Sequence, residues 1–134
     1  MLLPTSTFTS MPRRILIVDD QPDLRKLIRM TLELGEFDVH EAVDGAGALQ
    51  QAAALRPDLV LLDVMMPGEL NGYQVCERLK QDPALAGTLV VMLTARGQAG
   101  DIGAGQRAGA DGYLIKPFSP FELIERVESM LDAV

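Results

Sequence analysis

The 134-residue sequence contains one cysteine, Cys76, one histidine and no tryptophan. A single cysteine excludes an intrachain disulfide framework and, with a single histidine, a metal site of clustered Cys and His ligands. Low cysteine usage is also typical of a reducing compartment, so we expect a cytoplasmic protein. Cys76 itself lies among apolar residues of a helix-like segment and is expected to be a small buried hydrophobe.

Clusters of basic residues and long apolar runs are also missing. No group of Lys and Arg exceeds Arg13–Arg14, and the formal net charge is −7, whereas nucleic-acid binding needs a basic surface. No stretch approaches the ~20 apolar residues that span a bilayer. Residues 1–12 lack the basic and apolar regions of a signal peptide and are predicted to form a flexible tail. We therefore expect no direct contact with nucleic acid or membrane.

Short apolar segments alternate with helix-like segments along the rest of the chain. The predicted strands are about Arg14–Val18, Asp38–Ala42, Asp58–Leu62, Thr88–Leu93 and Gly112–Ile115. Such runs are typical of parallel strands buried on both faces, and the more polar second strand is expected at an edge. Residues 13–134 are thus predicted to form one α/β domain. It is a (βα)5 doubly wound three-layer sandwich whose parallel five-stranded sheet has the order 2-1-3-4-5.

Capping residues mark the ends of the predicted helices. Pro22 is a favoured first residue, Asp44 is a candidate N-cap, and Gly35 is a candidate C′ residue of the first helix. Capping-box spacing begins two later helices, at Asn71 with Gln74 and at Ser119 with Glu122. A helical stripe of the first helix is expected to face the core: Leu24, Leu27, Ile28, Thr31 and Leu32. The segment Arg96–Gly109 contains five glycines and is expected to form a short or mobile helix.

Side chains able to bind metal or phosphate follow four of the strands. They are Asp19 and Asp20, Asp63, Thr94, and Lys116. The carboxyl ends of parallel strands share one edge of a sheet, so these side chains are expected to converge there. Crowded carboxylates repel one another, and a hard divalent cation with oxygen ligands, Mg²⁺ or Mn²⁺, relieves that repulsion. A further carboxylate is then free to act as a nucleophile that forms an aspartyl phosphate, while the hydroxyl and ammonium groups bind phosphoryl oxygens.

The segments that carry these residues resemble the receiver domain of two-component response regulators. They are ILIVDDQPDLR (15–25), DLVLLDVMMPG (58–68), VVMLTAR (90–96) and AGADGYLIKPF (108–118). The resemblance covers about residues 13–131. It implies the flavodoxin-like fold of chemotaxis-type receivers. It also implies a phosphorylatable switch, not a turnover enzyme, apart from Mg²⁺-dependent self-phosphorylation and slow self-dephosphorylation.

The resemblance also implies a role for each matching residue at the metal site. Asp63 would be the phosphoacceptor, and Asp20 would bind the metal directly. Asp19 would act on the metal mainly through water. The backbone carbonyl of Met65 would be a further ligand.

At the neighbouring strands, Thr94 and Lys116 would bind the phosphoryl group, and Tyr113 would be the switch aromatic. The Lys116–Pro117 peptide would be cis, and the face formed by the fourth helix, fifth strand and fifth helix would rearrange. The expected partners are a sensor histidine kinase or histidine phosphotransfer protein and a downstream effector or output domain. Few side chains are available for dimer contacts on the glycine-rich fourth helix, so we expect a monomer or weak dimer.

The sequence departs from the family pattern in one loop near the site. Gly72 follows Pro67 by five residues, where four is usual, so this loop contains one extra residue. Two alternative functions predict other residues at this site. A pseudo-receiver that acts only as a protein-interaction module would lack at least one site residue. An aspartyl-phosphate phosphatase of the haloacid-dehalogenase kind needs D-x-D-x-T/V after the first strand, where this chain has DDQPD.

Overall fold

The computed structural model describes residues 12–95 and 99–133, without the side chains of residues 99–102. Strands and helices alternate along the described chain. They are β1 (Arg14–Val18), α1 (Pro22–Leu34), β2 (Asp38–Ala42), α2 (Gly45–Leu55), β3 (Leu59–Asp63), α3 (Gly72–Gln81), β4 (Leu89–Ala95), α4 (Ala99–Ala108), β5 (Gly112–Lys116) and α5 (Pro120–Asp132), with a 3₁₀ turn, Pro83–Leu85, before β4. Residues 1–11 of the predicted tail lie outside the described residues. Arg96, the first residue of the glycine-rich segment, also lies outside them.

The strands form one parallel sheet with the order β2-β1-β3-β4-β5. Helices α2, α3 and α4 cover one face, and α1 and α5 cover the other. Both faces of the central strands are therefore buried, which is why their sequences are continuous apolar runs. These observations confirm the predicted three-layer architecture and the edge position of β2. In the described parts of the chain, no helix has both the length and the hydropathy needed to cross a bilayer.

The predicted helix starts are confirmed by their capping contacts. The Asp44 side chain accepts a hydrogen bond from the Gly47 amide, and capping boxes are formed at the starts of α3 and α5. Two expectations for α1 are wrong. Leu27 is 44% exposed, because it lies at the edge of the apolar stripe, where it lines a surface groove together with the α5 residue Phe121. Gly35 has an ordinary φ of −87°, and the next residue, Glu36, takes the positive φ.

The bounds of three strands also differ from the sequence prediction, at both ends of β3 and β4 and at the end of β5. Asp58 and Thr88 lie just before their strands. The Asp58 side chain accepts a hydrogen bond from the Arg14 amide, and the Thr88 hydroxyl donates to the Pro57 carbonyl. Three site residues predicted to follow their strands are the last or nearly the last residues within them. Asp63 ends β3 and pairs with Leu93, Thr94 lies in β4, and Lys116 ends β5. Helix α4 spans ten residues despite its glycines, the same length as α3. Cys76 is fully buried, as expected.

Glycines allow two close approaches around the long β3–α3 loop. A Cβ at Gly45 would lie 2.8 Å from Cβ of Leu70, so the loop packs directly on the first turn of α2. A Cβ at Gly72 would lie 2.3 Å from the carbonyl oxygen of Asp63. The Gly72 amide donates to the Val64 carbonyl at 2.9 Å. The start of α3 therefore rests on the backbone at the end of β3.

Candidate functional site

Three carboxylates meet at the carboxyl edge of the sheet. Asp19 and Asp20 follow β1, Asp63 ends β3, and one oxygen from each lies within 4.8 Å of the others. The register brings them together because Val18 is opposite Leu62 in adjacent parallel strands. Asp19 and Asp63 are buried, whereas Asp20 is exposed. The arrangement thus combines a buried acidic pair with one acid at the solvent boundary.

Lys116, the last residue of β5, reaches the same cluster. Its Nζ donates to Oδ2 of Asp19 at 3.1 Å and to Oδ1 of Asp63 at 3.3 Å. Its side chain is only 22% exposed. The following peptide, Lys116–Pro117, is cis. One ammonium group therefore bridges the two buried carboxylates.

The local electrostatics favour a proton or a cation at Asp63. Burial, together with the charge of Asp19, raises the pKa of Asp63 from 3.8 to about 6. Lys116 and the backbone amide of Met65, which donates to Oδ1 at 3.2 Å, act in the opposite direction but do not cancel the rise. The three carboxylates carry more negative charge than the Lys116 ammonium offsets. Such a group of oxygen ligands fits a hard divalent cation.

Backbone contacts hold the acidic loop after β1. The Asp19 amide donates to the Ala42 carbonyl at 3.3 Å, and Oδ1 of Asp19 accepts from the Gln21 amide at 2.8 Å. Arg25 donates from Nη1 to the carbonyl oxygen of Asp19 at 2.8 Å. Arg25 is not among the site residues predicted from the sequence. The available signal was a cation on the first helix only five residues after the acidic pair.

Thr94 and Tyr113 lie on the two strands beside the cluster. Thr94 is buried near the end of β4, one residue past Leu93, the register partner of Asp63. Tyr113 pairs with Met92 across β4 and β5, and Thr94 pairs with Ile115. Thr94 is two residues from Met92 on β4, so the two side chains share a face of the sheet. Tyr113 is the register partner of Met92 and therefore lies on that face too.

The Tyr113 ring lies against helix α4. A Cβ at Gly105 would be 2.8 Å from Cε1 of the ring and 3.1 Å from its hydroxyl oxygen. Met65, by contrast, exposes 69% of its surface next to the cluster. The site therefore has a solvent-facing side at the β3–α3 loop and a packed side at β5 and α4.

A family model described as "Response regulator receiver domain" matches residues 15–128. Among curated proteins, the chain is 46% identical over 118 residues to the DNA-binding dual master transcriptional regulator RpaA of Synechocystis, covering 88% of this chain and 48% of RpaA. It is 41% identical over 118 residues to the transcriptional regulatory protein ResD of Bacillus subtilis, with the same coverage of each chain. The chain thus spans about half the length of the curated relatives it matches.

Solved structures show the same architecture. The chemotaxis response regulator CheY4 of Vibrio cholerae superposes with a TM-score of 0.84 at 29% identity, covering 89% of this chain and 98% of that chain. The receiver domain of NtrX from Brucella abortus superposes with a TM-score of 0.81 at 32% identity, covering 90% and 99%.

Proposed function

Because the chain belongs to the family of response regulator receiver domains, we propose that it accepts a phosphoryl group on Asp63. The observation that carries this proposal is the buried Asp63 carboxylate beside Asp19 and Asp20 and within reach of Lys116. The donor is proposed to be a phosphohistidine of a sensor kinase or of a histidine phosphotransfer protein. This would make the chain a receiver with a covalent signalling state, without turnover of an external substrate.

The proposed transfer is a displacement at phosphorus. An oxygen of the ionised Asp63 carboxylate forms the new P–O bond while the P–N bond to the donor imidazole breaks. The bonding electron pair returns to the imidazole nitrogen, which remains with the donor. Lys116 favours the ionised carboxylate before transfer and pairs with the anionic phosphoryl group afterwards.

Asp19, Asp20 and Asp63 are the residues that would hold Mg²⁺ or Mn²⁺, with the Met65 carbonyl as a further proposed ligand. When bound, the cation would offset negative charge on the carboxylates and on the phosphoryl oxygens. Asp20 is exposed and Asp19 is buried, which supports direct binding by Asp20. A water-mediated role for Asp19 follows from the family resemblance.

The proposed switch runs from Thr94 to Tyr113. Thr94 would donate a hydrogen bond to a phosphoryl oxygen and move toward it. Tyr113, on the same side of the sheet, would then turn into the space that Thr94 leaves. Because its ring lies against Gly105, this movement would change the contact between β5 and α4. The face formed by α4, β5 and α5 is the proposed output surface.

Phosphorylation is tested by incubating the protein with acetyl phosphate and Mg²⁺ and measuring its intact mass. We expect one adduct of about 80 Da on the native chain, and none on Asp63→Asn. The matched control is Asp132→Asn, which removes a surface carboxylate at the end of α5 and should label like the native chain. An unlabelled native protein, or an adduct retained by Asp63→Asn, would contradict the proposal.

Metal binding is tested by thermal unfolding. A ligand that binds only the folded state at ten times its dissociation constant adds about 1.4 kcal/mol of stability, so Mg²⁺ is expected to raise the Tm by a few degrees. Asp20→Asn should reduce this shift because it removes the solvent-exposed carboxylate. Potassium chloride at the same ionic strength is the control, and an equal shift with that salt would argue against a specific site.

The two alternatives are not favoured. A pseudo-receiver is expected to have lost a site residue, and Asp63, Thr94 and Lys116 are all retained. The phosphatase alternative lacks its motif after β1. RpaA is described as DNA-binding, but we propose that this receiver region does not contact DNA, because its net charge is −7 and DNA binding needs a basic surface. A DNA-binding output would belong to another part of a longer protein.

A further inference from the structure

The guanidinium of Arg25 contacts the peptide that joins the two acidic residues after β1. Its Nη1 donates to the carbonyl oxygen of Asp19 at 2.8 Å, and this carbonyl belongs to the Asp19–Asp20 peptide bond. The Arg25 side chain is only 16% exposed, so the contact is shielded from bulk water. The orientation of that peptide plane sets the position of the Asp20 Cα, from which its side chain extends.

Arg25 is itself held by Glu41 of the edge strand β2. Its Nε donates to Oε1 of Glu41 at 2.9 Å, so the two sides of the guanidinium bind Glu41 and Asp19. The other Glu41 oxygen, Oε2, accepts from Arg29, which also pairs with Glu33. Hydrogen bonds from Arg29 and then Arg25 lower the pKa of Glu41. The carboxylate that orients Arg25 is therefore a fixed and ionised anchor.

We propose that Arg25 is a positioning residue, which aligns Asp19 and Asp20 for metal binding by holding the peptide between them. This inference rests on the proposed phosphoryl transfer at Asp63, because the metal is needed for that step. Electrostatics alone predicts the opposite effect on the metal. A cation this close to the acidic cluster repels Mg²⁺, so deleting its charge would tighten Mg²⁺ binding if Arg25 did nothing else.

The opposite signs of these two effects allow a direct test. Arg25→Met removes the charge and both hydrogen bonds while keeping an unbranched apolar side chain. We expect the apparent dissociation constant for Mg²⁺, measured by titration of the full chain, to rise about tenfold, the low end for a hydrogen bond from a charged group. At saturating Mg²⁺, labelling by acetyl phosphate should return to within about twofold of the native rate.

Arg29→Met is the matched control. Arg29 lies on the same helix and binds the same Glu41 carboxylate, while the guanidinium contact to the Asp19 carbonyl is made by Arg25. Its replacement should change the Mg²⁺ dissociation constant by less than about twofold. If both variants weaken Mg²⁺ binding equally, the effect belongs to the whole ion-pair network and not to Arg25, which would overturn the proposal. Mg²⁺ binding by Arg25→Met that is unchanged or tighter would also overturn the proposal.

A second readout does not need metal. The Gln21 amide donates to Oδ1 of Asp19, so its hydrogen exchange reports the order of the acidic loop. In metal-free protein, Arg25→Met is expected to speed this exchange at least fivefold, whereas Arg29→Met should leave it near the native value. If Arg25→Met does not fold, Glu41→Gln, which weakens the anchor, is expected to give the same two changes in smaller degree. If Glu41→Gln has the same Gln21 amide exchange rate and the same Mg²⁺ affinity as the native chain, the inference is overturned.

The same experiments separate this inference from the proposed function. A native chain that neither binds Mg²⁺ nor becomes phosphorylated would refute the function. The exchange rate of the Gln21 amide would still decide whether Arg25 orders the loop.

Discussion

Asp63→Asn is expected to stabilise the metal-free protein by on the order of 2–3 kcal/mol at pH 7. Burial and the neighbouring Asp19 raise the pKa of Asp63 to about 6, from 3.8. Ionising this carboxylate is therefore more costly in the folded chain than in the unfolded chain. Asparagine keeps nearly the same shape without the charge, so the variant avoids that cost while losing the proposed phosphoacceptor.

The pH dependence has a defined sign. Well below pH 3.8, Asp63 is protonated in both the folded and the unfolded states, and the two proteins should have similar stability. Between about pH 4 and 6 the unfolded chain ionises first, so the stability of the native protein falls relative to the variant. Above about pH 7 the difference is complete. A bound divalent cation would favour the ionised carboxylate, so Mg²⁺ should narrow the difference at neutral pH.

Urea unfolding at pH 4, 5, 6 and 7, with a chelator and then with Mg²⁺, measures this difference. Titrating groups away from Asp63 are shared by the two proteins, so their contributions cancel, whereas the interactions of Asp63 with Asp19 and Lys116 are part of the measured difference. Asp132→Asn, which removes an exposed carboxylate, should track the native protein at each pH. An Asp63→Asn protein no more stable than the native chain at pH 7 would show that the buried acidic pair is not strained.

Gly72→Ala is expected to lower the free energy of unfolding by at least about 3 kcal/mol, at or above the upper end for overpacking. The added Cβ would lie 2.3 Å from the Asp63 carbonyl oxygen and 2.8 Å from Cα of Val64. Both contacts are with backbone atoms, so a side-chain rotation cannot relieve them. The start of α3 must move away from β3, and the backbone that carries Asp63 must move with it.

Gly87→Ala is the control for this substitution, because a Cβ there meets nothing within 4 Å. Its stability should stay within about 1 kcal/mol of the native value. Denaturant unfolding compares the two variants, and backbone amide shifts of Asp63 and Val64 report the local displacement. Equal stability of both variants would mean that the β3–α3 junction adapts more easily than its geometry indicates.

The arrangement of the sheet and the convergence of the acidic residues were predictable because both follow from local patterns. Apolar runs such as Leu59–Leu62 indicate strands buried on both faces, and parallel strands place their following residues at one edge. The capping motifs at Asn71 and Ser119 depend on residues three apart, so they too are visible in sequence.

Contacts between distant elements were not predictable in the same way. Arg25 and Glu41 are sixteen residues apart and meet only because β2 lies beside β1 and next to α1. The need for glycine at position 72 arises from the approach of α3 to β3, which no local pattern shows. The exposure of Leu27 depends on how α5 packs beside α1. The helical stripe gave the direction of the apolar face but not its width.

The position of the Tyr113 ring against Gly105 makes this tyrosine a fluorescent reporter of the β5–α4 contact. The chain has two tyrosines and no tryptophan, so its near-ultraviolet emission comes from Tyr73 and Tyr113 without energy transfer to an indole. A Tyr73→Phe protein would hold a single tyrosine, whose ring lies between β5 and α4. Its emission and anisotropy would report motion of the aromatic ring directly, without an attached dye.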